Sequence, residues 1–369
     1  MTVWLLGDQL HPHTAPLQSA NHVLLIEAHA FAERRRYHPQ KLTLVFSAMR
    51  HFRDDLRDRG YDVTYLRAET FGDALDRYFE ANPDDDLVGM RSPSHGADEL
   101  RHRLVDDRGG TLTLVENDLF LTSRAAFDAW AGTDGSGEMR SDGARASDHE
   151  TFRQENWYRH IRRETGILMD GDDPVGGAWN YDEENRETPP PEWSPPAVPR
   201  FEPDETTREV QAFVADRYDD HWGDPNGFRW PVTREDALRA VDHFVSVRLS
   251  EFGDYQDAMR DGEWALCHSL LSAALNLGLL RPREVVDPAV AAYESGDAPL
   301  NSVEGFVRQV IGWREFVRHV YRRAMPELAE ANQLGQTASL PPLYWDGETE
   351  MRCLSEAVGH VRKRGYAHH

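Results

Sequence analysis

Two short apolar runs near the start of the chain decide the fold class: Val3-Trp4-Leu5-Leu6-Gly7 and Val23-Leu24-Leu25-Ile26-Glu27. Each run has the length and the apolar content of a buried strand. Further strand-like runs follow at 62–66, 86–90 and 112–115, and helix-like segments lie between them, starting at residues 42, 71 and 97. This alternation predicts a doubly wound parallel sheet with helices on its faces.

The turn after the first run does not carry the dinucleotide-binding fingerprint. Gly7-Asp8-Gln9-Leu10 stands where a Gly-x-Gly-x-x-Gly loop would bind a pyrophosphate. The sheet is therefore predicted to be Rossmann-like in its layout but to lack that phosphate-binding loop.

The chain changes character twice after the predicted sheet. Residues 131–149 are rich in Gly, Ser and Asp, and residues 187–204 contain seven prolines, which is typical of a stiff connector. From residue 205 onward apolar residues recur at spacings of three and four, as in helices. We expect an α/β domain at 1–130, a connector at 131–204 and a helical domain at 205–369.

The composition is strongly acidic. The 369 residues include 64 Asp and Glu against 41 Lys and Arg, a formal net charge of -23, and only Lys41 and Lys363 are lysines. Such a surface suits a protein that stays soluble in high salt; the alternative is an ordinary acidic cytosolic enzyme. The charge argues against sequence-independent DNA binding over the whole surface, but it permits a local arginine-lined patch.

Three broad classes are disfavoured by the sequence. No apolar stretch is long enough for a membrane span, and the first residues form no signal peptide, so a cytoplasmic location is expected. Two cysteines, Cys267 and Cys353, cannot build a disulfide framework. Cys267 lies in an apolar segment and is predicted to be a buried thiol.

Two segments of the helical half carry candidate chemistry. His268-Ser269-Leu270-Leu271-Ser272 could open a helix whose free N–H groups suit a pyrophosphate, although simple N-capping explains an isolated Ser-x-x-Ser equally well. Gly305 to Phe316 would place Gln309, Trp313 and either Gly312 or Phe316 on one helix face, with Arg314 beside the indole. The alternative for this segment is a buried Trp with a surface Arg–Glu pair.

Taken together, these segments resemble the photolyase/cryptochrome family. Gly7-Asp8-Gln9-Leu10, Gly176-Gly177-Ala178-Trp179-Asn180, Gly253-Asp254-Tyr255-Gln256-Asp257 and Trp345 to Cys353 are similar to its iron–sulfur bacterial branch, which includes the prokaryotic (6-4) photolyases. The resemblance runs from residue 2 to residue 369. It implies an N-terminal antenna-type domain and a C-terminal helical FAD-binding domain.

The resemblance also implies roles for individual residues. The FAD contacts would be Tyr255, His268, Ser269, Leu270, Ser272, Gln309, Trp313 and Arg314. His368 and His369 would face a flipped photoproduct, one of them as proton donor, because a His can hold or give a proton near neutral pH. Trp345 would lie on the electron path that reduces the flavin. Because the net charge is negative, Arg308, Arg314 and Arg318 are expected near the pocket mouth, and their spacing predicts that at least one of them is a surface residue with no role in DNA binding.

Two cofactors besides FAD follow from the resemblance. Cys353 matches the first of four cysteines that hold a 4Fe-4S cluster, and four thiolates are needed for one. With one suitable cysteine present, we expect the sequence to be truncated at its C-terminus and inactive in this form; a natural minimal form is the alternative. A ribityl-lumazine antenna would lie near Asp8, Gln9, Glu27, Met49 and Phe52.

Three functions remain open from the sequence. The first is light-driven repair of UV-damaged DNA by a monomeric (6-4) photolyase, in which reduced FAD passes an electron to a flipped pyrimidine photoproduct. The second is a cryptochrome-like blue-light sensor without repair. The third is an inactive remnant or scaffold.

Overall fold

The structure is a computed structural model that describes residues 1–83, 85–132 and 152–368. Within these residues, five parallel strands form one sheet in the order β3-β2-β1-β4-β5. The strands are β1 (Thr2–Leu5), β2 (His22–Ala28), β3 (Asp62–Ala68), β4 (Asp86–Met90) and β5 (Thr111–Val115). Because β1 lies in the middle, the chain winds outward in both directions, which confirms the predicted doubly wound sheet.

Helices cover both faces of this sheet. They are α1 (His29–Glu33), α2 (Pro39–Asp58), α3 (Phe71–Ala81), α4 (Ala97–Asp106) and α5 (Arg124–Ala131). Alternate residues of β1 point to opposite faces: Val3 joins the core that includes α2, and Trp4 joins the core that includes α3. Burial on both faces explains why the strands read as continuous apolar runs in the sequence.

The part of the described chain that follows α5 is mostly helical. Helices were predicted from residue 205 onward, whereas the helix at Gln154–Thr165 lies in the segment predicted to be a connector. Its helices are α6 (Gln154–Thr165), α7 (Glu205–Arg217), α8 (Arg234–His243), α9 (Ser272–Leu277), α10 (Pro282–Glu294), α11 (Leu300–Val307), α12 (Glu315–Ala324), α13 (Leu343–Asp346) and α14 (Arg352–Arg364). A two-residue antiparallel pair, β6 (Met169–Asp170) and β7 (Asp173–Pro174), lies between α6 and α7. No described helix is both long and apolar enough to cross a bilayer.

Two π-helical segments change the helix faces that the sequence predicts. One spans Phe244–Arg248 after α8, and the other spans Arg308–Arg314 between α11 and α12. Because a π-turn adds a residue to the helical repeat, the side chains that follow rotate relative to regular spacing. Gly312 and Phe316 are buried, whereas Trp313 is 43% exposed, so the prediction that these residues share one face is wrong.

The sheet and the helical region share one continuous apolar core that runs from β1 to α12. Polar contacts reinforce this junction at Glu315, which is fully buried. Its carboxylate accepts hydrogen bonds from the backbone N–H groups of Leu121 and Thr122, at 3.0 and 3.1 Å, and from the Thr122 hydroxyl at 2.6 Å. The segment after β5 is thereby fixed to the first turn of α12.

The three arginines expected at the pocket mouth are structural instead. The Arg308 guanidinium lies 2.9 Å from Asp182, and both Arg314 and Arg318 stack on the Phe120 ring near Glu315. Their side chains are at most 17% exposed. The prediction of a surface arginine among them is therefore wrong, because each one packs against residues from another part of the chain.

Candidate cofactor site

The segment with the strongest sequence signal, residues 264–272, forms an irregular loop that leads into α9. We call it the cofactor loop. The helix begins at Ser272, so His268 and Ser269 precede it and do not open it. Ser272 is exposed, Ser269 is half-buried, and His268 is buried. The Ser269 hydroxyl accepts a hydrogen bond from the N–H of Leu271 at 3.4 Å, which tightens the turn before the helix.

The backbone of the cofactor loop is held in an unusual conformation. Leu266 and Leu270 have φ angles of 40° and 62°, in the left-handed region that a leucine seldom adopts. Such residues persist only where their surroundings over-determine them, and they concentrate at functional sites. Cys267 lies between them and is buried, as predicted. Burial raises the pKa of its thiol to about 12, so it is an unreactive neutral group.

A second loop, residues 252–256, lies against the cofactor loop. The Phe252 ring meets the His268 ring edge-on at 5.6 Å and the Phe306 ring of α11 at 6.1 Å. The N–H of Gly253 donates to the Ser302 hydroxyl at 2.7 Å, and a Cβ at Gly253 would meet the Ser302 backbone at 2.7 Å. This close approach requires glycine and holds the second loop against α11.

Behind this second loop lies a polar cluster that the sequence reasoning missed. The Asn301 amide donates to Asp254 at 2.9 Å, and the Asn185 amide reaches Gln256 at 3.3 Å and the Asn301 carbonyl at 3.4 Å. Asn185, Gln256 and Asn301 are all buried. The sequence signal that could have indicated this cluster is the presence of Asn and Gln side chains among the apolar residues of the helical domain.

The C-terminal tail reaches the cofactor loop. The His368 ring stacks on the His268 ring with centroids 4.7 Å apart and an interplanar angle of 17°. Tyr366 lies between Trp230 and Trp264, at 5.2 and 6.1 Å, and burial raises the pKa of its hydroxyl while Ser272 nearby lowers it. The structure therefore brings His368 to His268 and Tyr366 to Ser272. His369 lies outside the described residues.

The candidates on the long helix α11–α12 do not converge on one point. Arg314 donates to the carbonyl oxygen of Leu275 at 3.2 Å, which ties it to α9, the helix that follows the cofactor loop. Gln309 is half-buried. The Trp313 ring is exposed and contacts Phe316 at 6.3 Å.

Trp345 and Cys353 lie near the surface. Trp345 is 56% exposed, its ring lies 6.3 Å from the Trp222 ring, and its carbonyl oxygen accepts a hydrogen bond from the Trp222 indole at 2.8 Å. Cys353 is exposed. Among residues 1–83, 85–132 and 152–368, no three His, Cys, Asp or Glu side chains are arranged to hold a metal ion.

Of the five candidate antenna residues, Asp8 and Gln9 follow β1, Glu27 lies near the end of β2, and the other two lie on α2. Burial raises the pKa of Asp8, while the Gln9 amide donates to the Met90 carbonyl at 3.2 Å, and Met49 and Phe52 are core residues of α2. Glu27 is fully buried and engaged by the protein itself. Its oxygens lie 2.8 Å from Arg50, 2.5 Å from the Tyr65 hydroxyl and 3.1 Å from His29. Antenna binding there stays a prediction.

The sheet, the helical domain and the cofactor loop together define the class of protein. The architecture is similar to that of a bacterial class III photolyase from Agrobacterium tumefaciens, with a TM-score of 0.60. The similarity covers 100% of this chain and 69% of that protein at 16% identity, and it therefore concerns the fold. The chain has the fold of a photolyase.

Sequence comparison identifies the family within this class of fold. Residues 3–230 match the model of the deoxyribodipyrimidine photo-lyase-related protein family. The chain is also 38% identical over 382 residues to a (6-4) photolyase of Agrobacterium fabrum, covering 100% of this chain and 71% of that protein. An uncharacterised protein of Acanthamoeba polyphaga mimivirus is 30% identical over 112 residues, which are 30% of this chain and 85% of that protein. The chain belongs to the deoxyribodipyrimidine photo-lyase-related protein family.

Proposed function

We propose that this protein is a light-driven DNA repair flavoprotein of the (6-4) photolyase type, acting on UV-damaged DNA. The observation that carries the proposal is the stacking of His368 on His268. It joins His368 to the cofactor loop, two features far apart in sequence. Family membership and the 38% identity to a (6-4) photolyase along the whole chain support the same function.

The residues of the cofactor loop fit FAD in their chemistry. Ser269 and Ser272 offer hydroxyl donors for phosphate or ribityl oxygens. When bound, FAD would supply the light-driven electron transfer. His368 would hold or give a proton at its imidazole, because the ordinary pKa of His lies near neutral pH. A damaged base is easier to flip into such a pocket than an intact one, since it is already poorly stacked.

The iron–sulfur cluster does not fit the residues present. A 4Fe-4S cluster requires four thiolates, and the chain contains two cysteines, of which Cys267 is buried in the cofactor loop and Cys353 is exposed on α14. No step of the proposed function is therefore assigned to a cluster in this chain.

The first test is flavin binding followed by repair. The protein would be titrated with FAD by flavin fluorescence, and binding is expected to be weak because Tyr366 and His368 lie against the cofactor loop.

A duplex with a single (6-4) photoproduct would then be illuminated with reduced FAD and analysed by chromatography. We expect the lesion to disappear in the light and to persist in the dark. A duplex with a cyclobutane dimer is the control for lesion type.

Two outcomes would change the proposal, and a third would add a chromophore to it. Failure to bind FAD at any concentration would reject a flavoprotein. Flavin binding without conversion of the lesion would favour the blue-light sensor. An absorbance band in the purified protein that is distinct from flavin would identify an antenna chromophore, and mutation of Asp8 or Gln9 would then test its predicted site.

We also predict how DNA binding depends on salt. The net charge of -23 opposes DNA over most of the surface, so binding must rely on few phosphate contacts and on recognition of the flipped lesion. The affinities for damaged and undamaged duplex should therefore both fall as salt increases, because salt screens the phosphate contacts that both duplexes share, while their ratio should stay above one and change little. Fluorescence anisotropy over a salt series measures this ratio. Equal affinities at every salt concentration would exclude lesion recognition.

A further inference from the structure

A buried arginine lies directly beneath the cofactor loop. Arg248 ends the π-helical segment after α8, and its side chain is 1% exposed. Its guanidinium donates to the backbone carbonyls of Leu266 and Ala265, at 2.5 and 3.1 Å. The same group reaches the carbonyl oxygens of Pro196 and Ala197 at 3.3 and 3.4 Å. The acceptors of this arginine in the described chain are thus all backbone oxygens.

The two shorter hydrogen bonds of Arg248 are made to the part of the cofactor loop whose backbone φ angles are unfavourable. Leu266 has a φ of 40°, and Leu270 four residues later has a φ of 62°. A leucine in the left-handed region relaxes to a more common conformation unless other contacts hold it. Arg248 binds the carbonyl of Leu266 itself and that of the residue before it. It therefore fixes the peptide orientation from which His268, Ser269 and Ser272 project.

The weaker contacts join the loop to the proline-rich connector. Pro196 and Ala197 belong to a segment whose prolines leave few backbone N–H groups to pair with neighbouring chain. Binding both segments through one guanidinium fixes the connector against the loop. A guanidinium suits this task because it offers five donors in a planar fork, whereas a lysine offers a single point charge.

We propose that Arg248 is the positioning residue that holds the cofactor loop in its FAD-binding conformation. The inference rests on the proposed function, since it assigns a purpose to the loop. Arg248 touches no cofactor itself and acts through the backbone of Ala265 and Leu266. Burial lowers the pKa of Arg248, which is consistent with a guanidinium that binds carbonyls within the fold.

The chain contains a matched control for this proposal. Arg162 of α6 is also fully buried, and it donates to the backbone carbonyls of Ile167, Leu168 and Trp179. Leu168 has a φ of 52°, so Arg162 likewise holds a leucine in the left-handed region. Its loop lies outside the proposed cofactor site. Substitution of Arg162 therefore reports the general effect of losing such a contact.

The experiment compares Arg248→Lys with Arg162→Lys. We expect Arg248→Lys to raise the Kd for FAD at least ~10-fold, the factor that corresponds to loss of about one charge-assisted hydrogen bond. Hydrogen exchange of peptides that cover residues 264–272 should accelerate in the same variant without FAD. Arg162→Lys should leave the Kd for FAD and the exchange of residues 264–272 unchanged. It should nevertheless lower Tm by about as much as Arg248→Lys does. Guanidinium ion at millimolar concentration should restore part of the FAD affinity of Arg248→Ala.

The outcomes separate this inference from the proposed function. If the wild-type protein does not bind FAD, the proposed function fails, and the exchange of residues 264–272 still decides whether Arg248 orders the loop. Wild-type exchange and wild-type FAD affinity in Arg248→Lys would overturn the inference. Equal weakening of FAD binding by Arg162→Lys would overturn it too, because the effect would then be general destabilisation.

Discussion

Replacing Glu315 by glutamine will lower the free energy of unfolding by about 3–5 kcal/mol, the range for removal of one partner from a buried charged network. The fully buried carboxylate accepts three hydrogen bonds from Leu121 and Thr122 and lies within 3.6 Å of the arginines at 314 and 318. A glutamine can accept at one atom only, and its NH₂ group would face a second N–H donor. Arg314 would also lose its ion-pair partner, and Arg318 would keep only Glu116.

Urea unfolding followed by circular dichroism measures this effect. The control is Glu155→Gln, since Glu155 forms a partly exposed pair with Arg159 one helical turn away and should change stability by less than about 0.5 kcal/mol. A change below about 1 kcal/mol for Glu315→Gln would mean that this junction contributes little to stability.

The sheet could be predicted from the sequence because the patterns that indicate its strands and helices lie in consecutive residues. The central strands β1 and β2 are short apolar runs buried on both faces, and the helix between β3 and β4 begins where it was predicted, at Phe71. The Thr70 capping box and the amphipathic spacing of that helix are both written in consecutive residues. The helical character of the second half follows from the same kind of periodicity.

The site was harder to predict because its geometry depends on features without a local signal. The π-turn at Arg308–Arg314 rotates Trp313 out to solvent, and regular spacing gives no hint of it. The left-handed leucines at 266 and 270 stand where a glycine would be expected. Arg248 lies in an apolar stretch, and its partners are 17 or more residues away in sequence. Such contacts appear only once the chain is folded.

Glu27 lies in a local pattern that supports two interpretations, an antenna contact and a structural carboxylate. Its replacement is the second change that should have a large effect on stability. Its position near the end of β2 indicates an antenna contact, but its carboxylate is fully buried among His29, Arg50 and Tyr65. Burial alone would raise the pKa of Glu27; hydrogen bonds from these three side chains reverse that effect and lower it to about 2. Glu27→Gln should lower the free energy of unfolding at pH 7 by about 3–5 kcal/mol, because Arg50 would remain buried without its counter-charge.

The pH dependence gives this prediction a distinct signature. A carboxyl group with a pKa of 4.5 when unfolded and about 2 when folded stabilises the protein fully above pH 4.5. That contribution, about 3 kcal/mol, disappears as the pH falls toward the folded-state value, because both states are then protonated. The stability difference between wild type and Glu27→Gln should therefore be largest near neutral pH and should shrink between pH 4.5 and 2. Urea unfolding at a series of pH values measures it, with Glu33→Gln at the exposed pair with Arg217 as the control. A difference that stays constant down to pH 3 would show that Arg50 and its neighbours do not hold Glu27 in its charged form, because about half of the contribution should be lost by then.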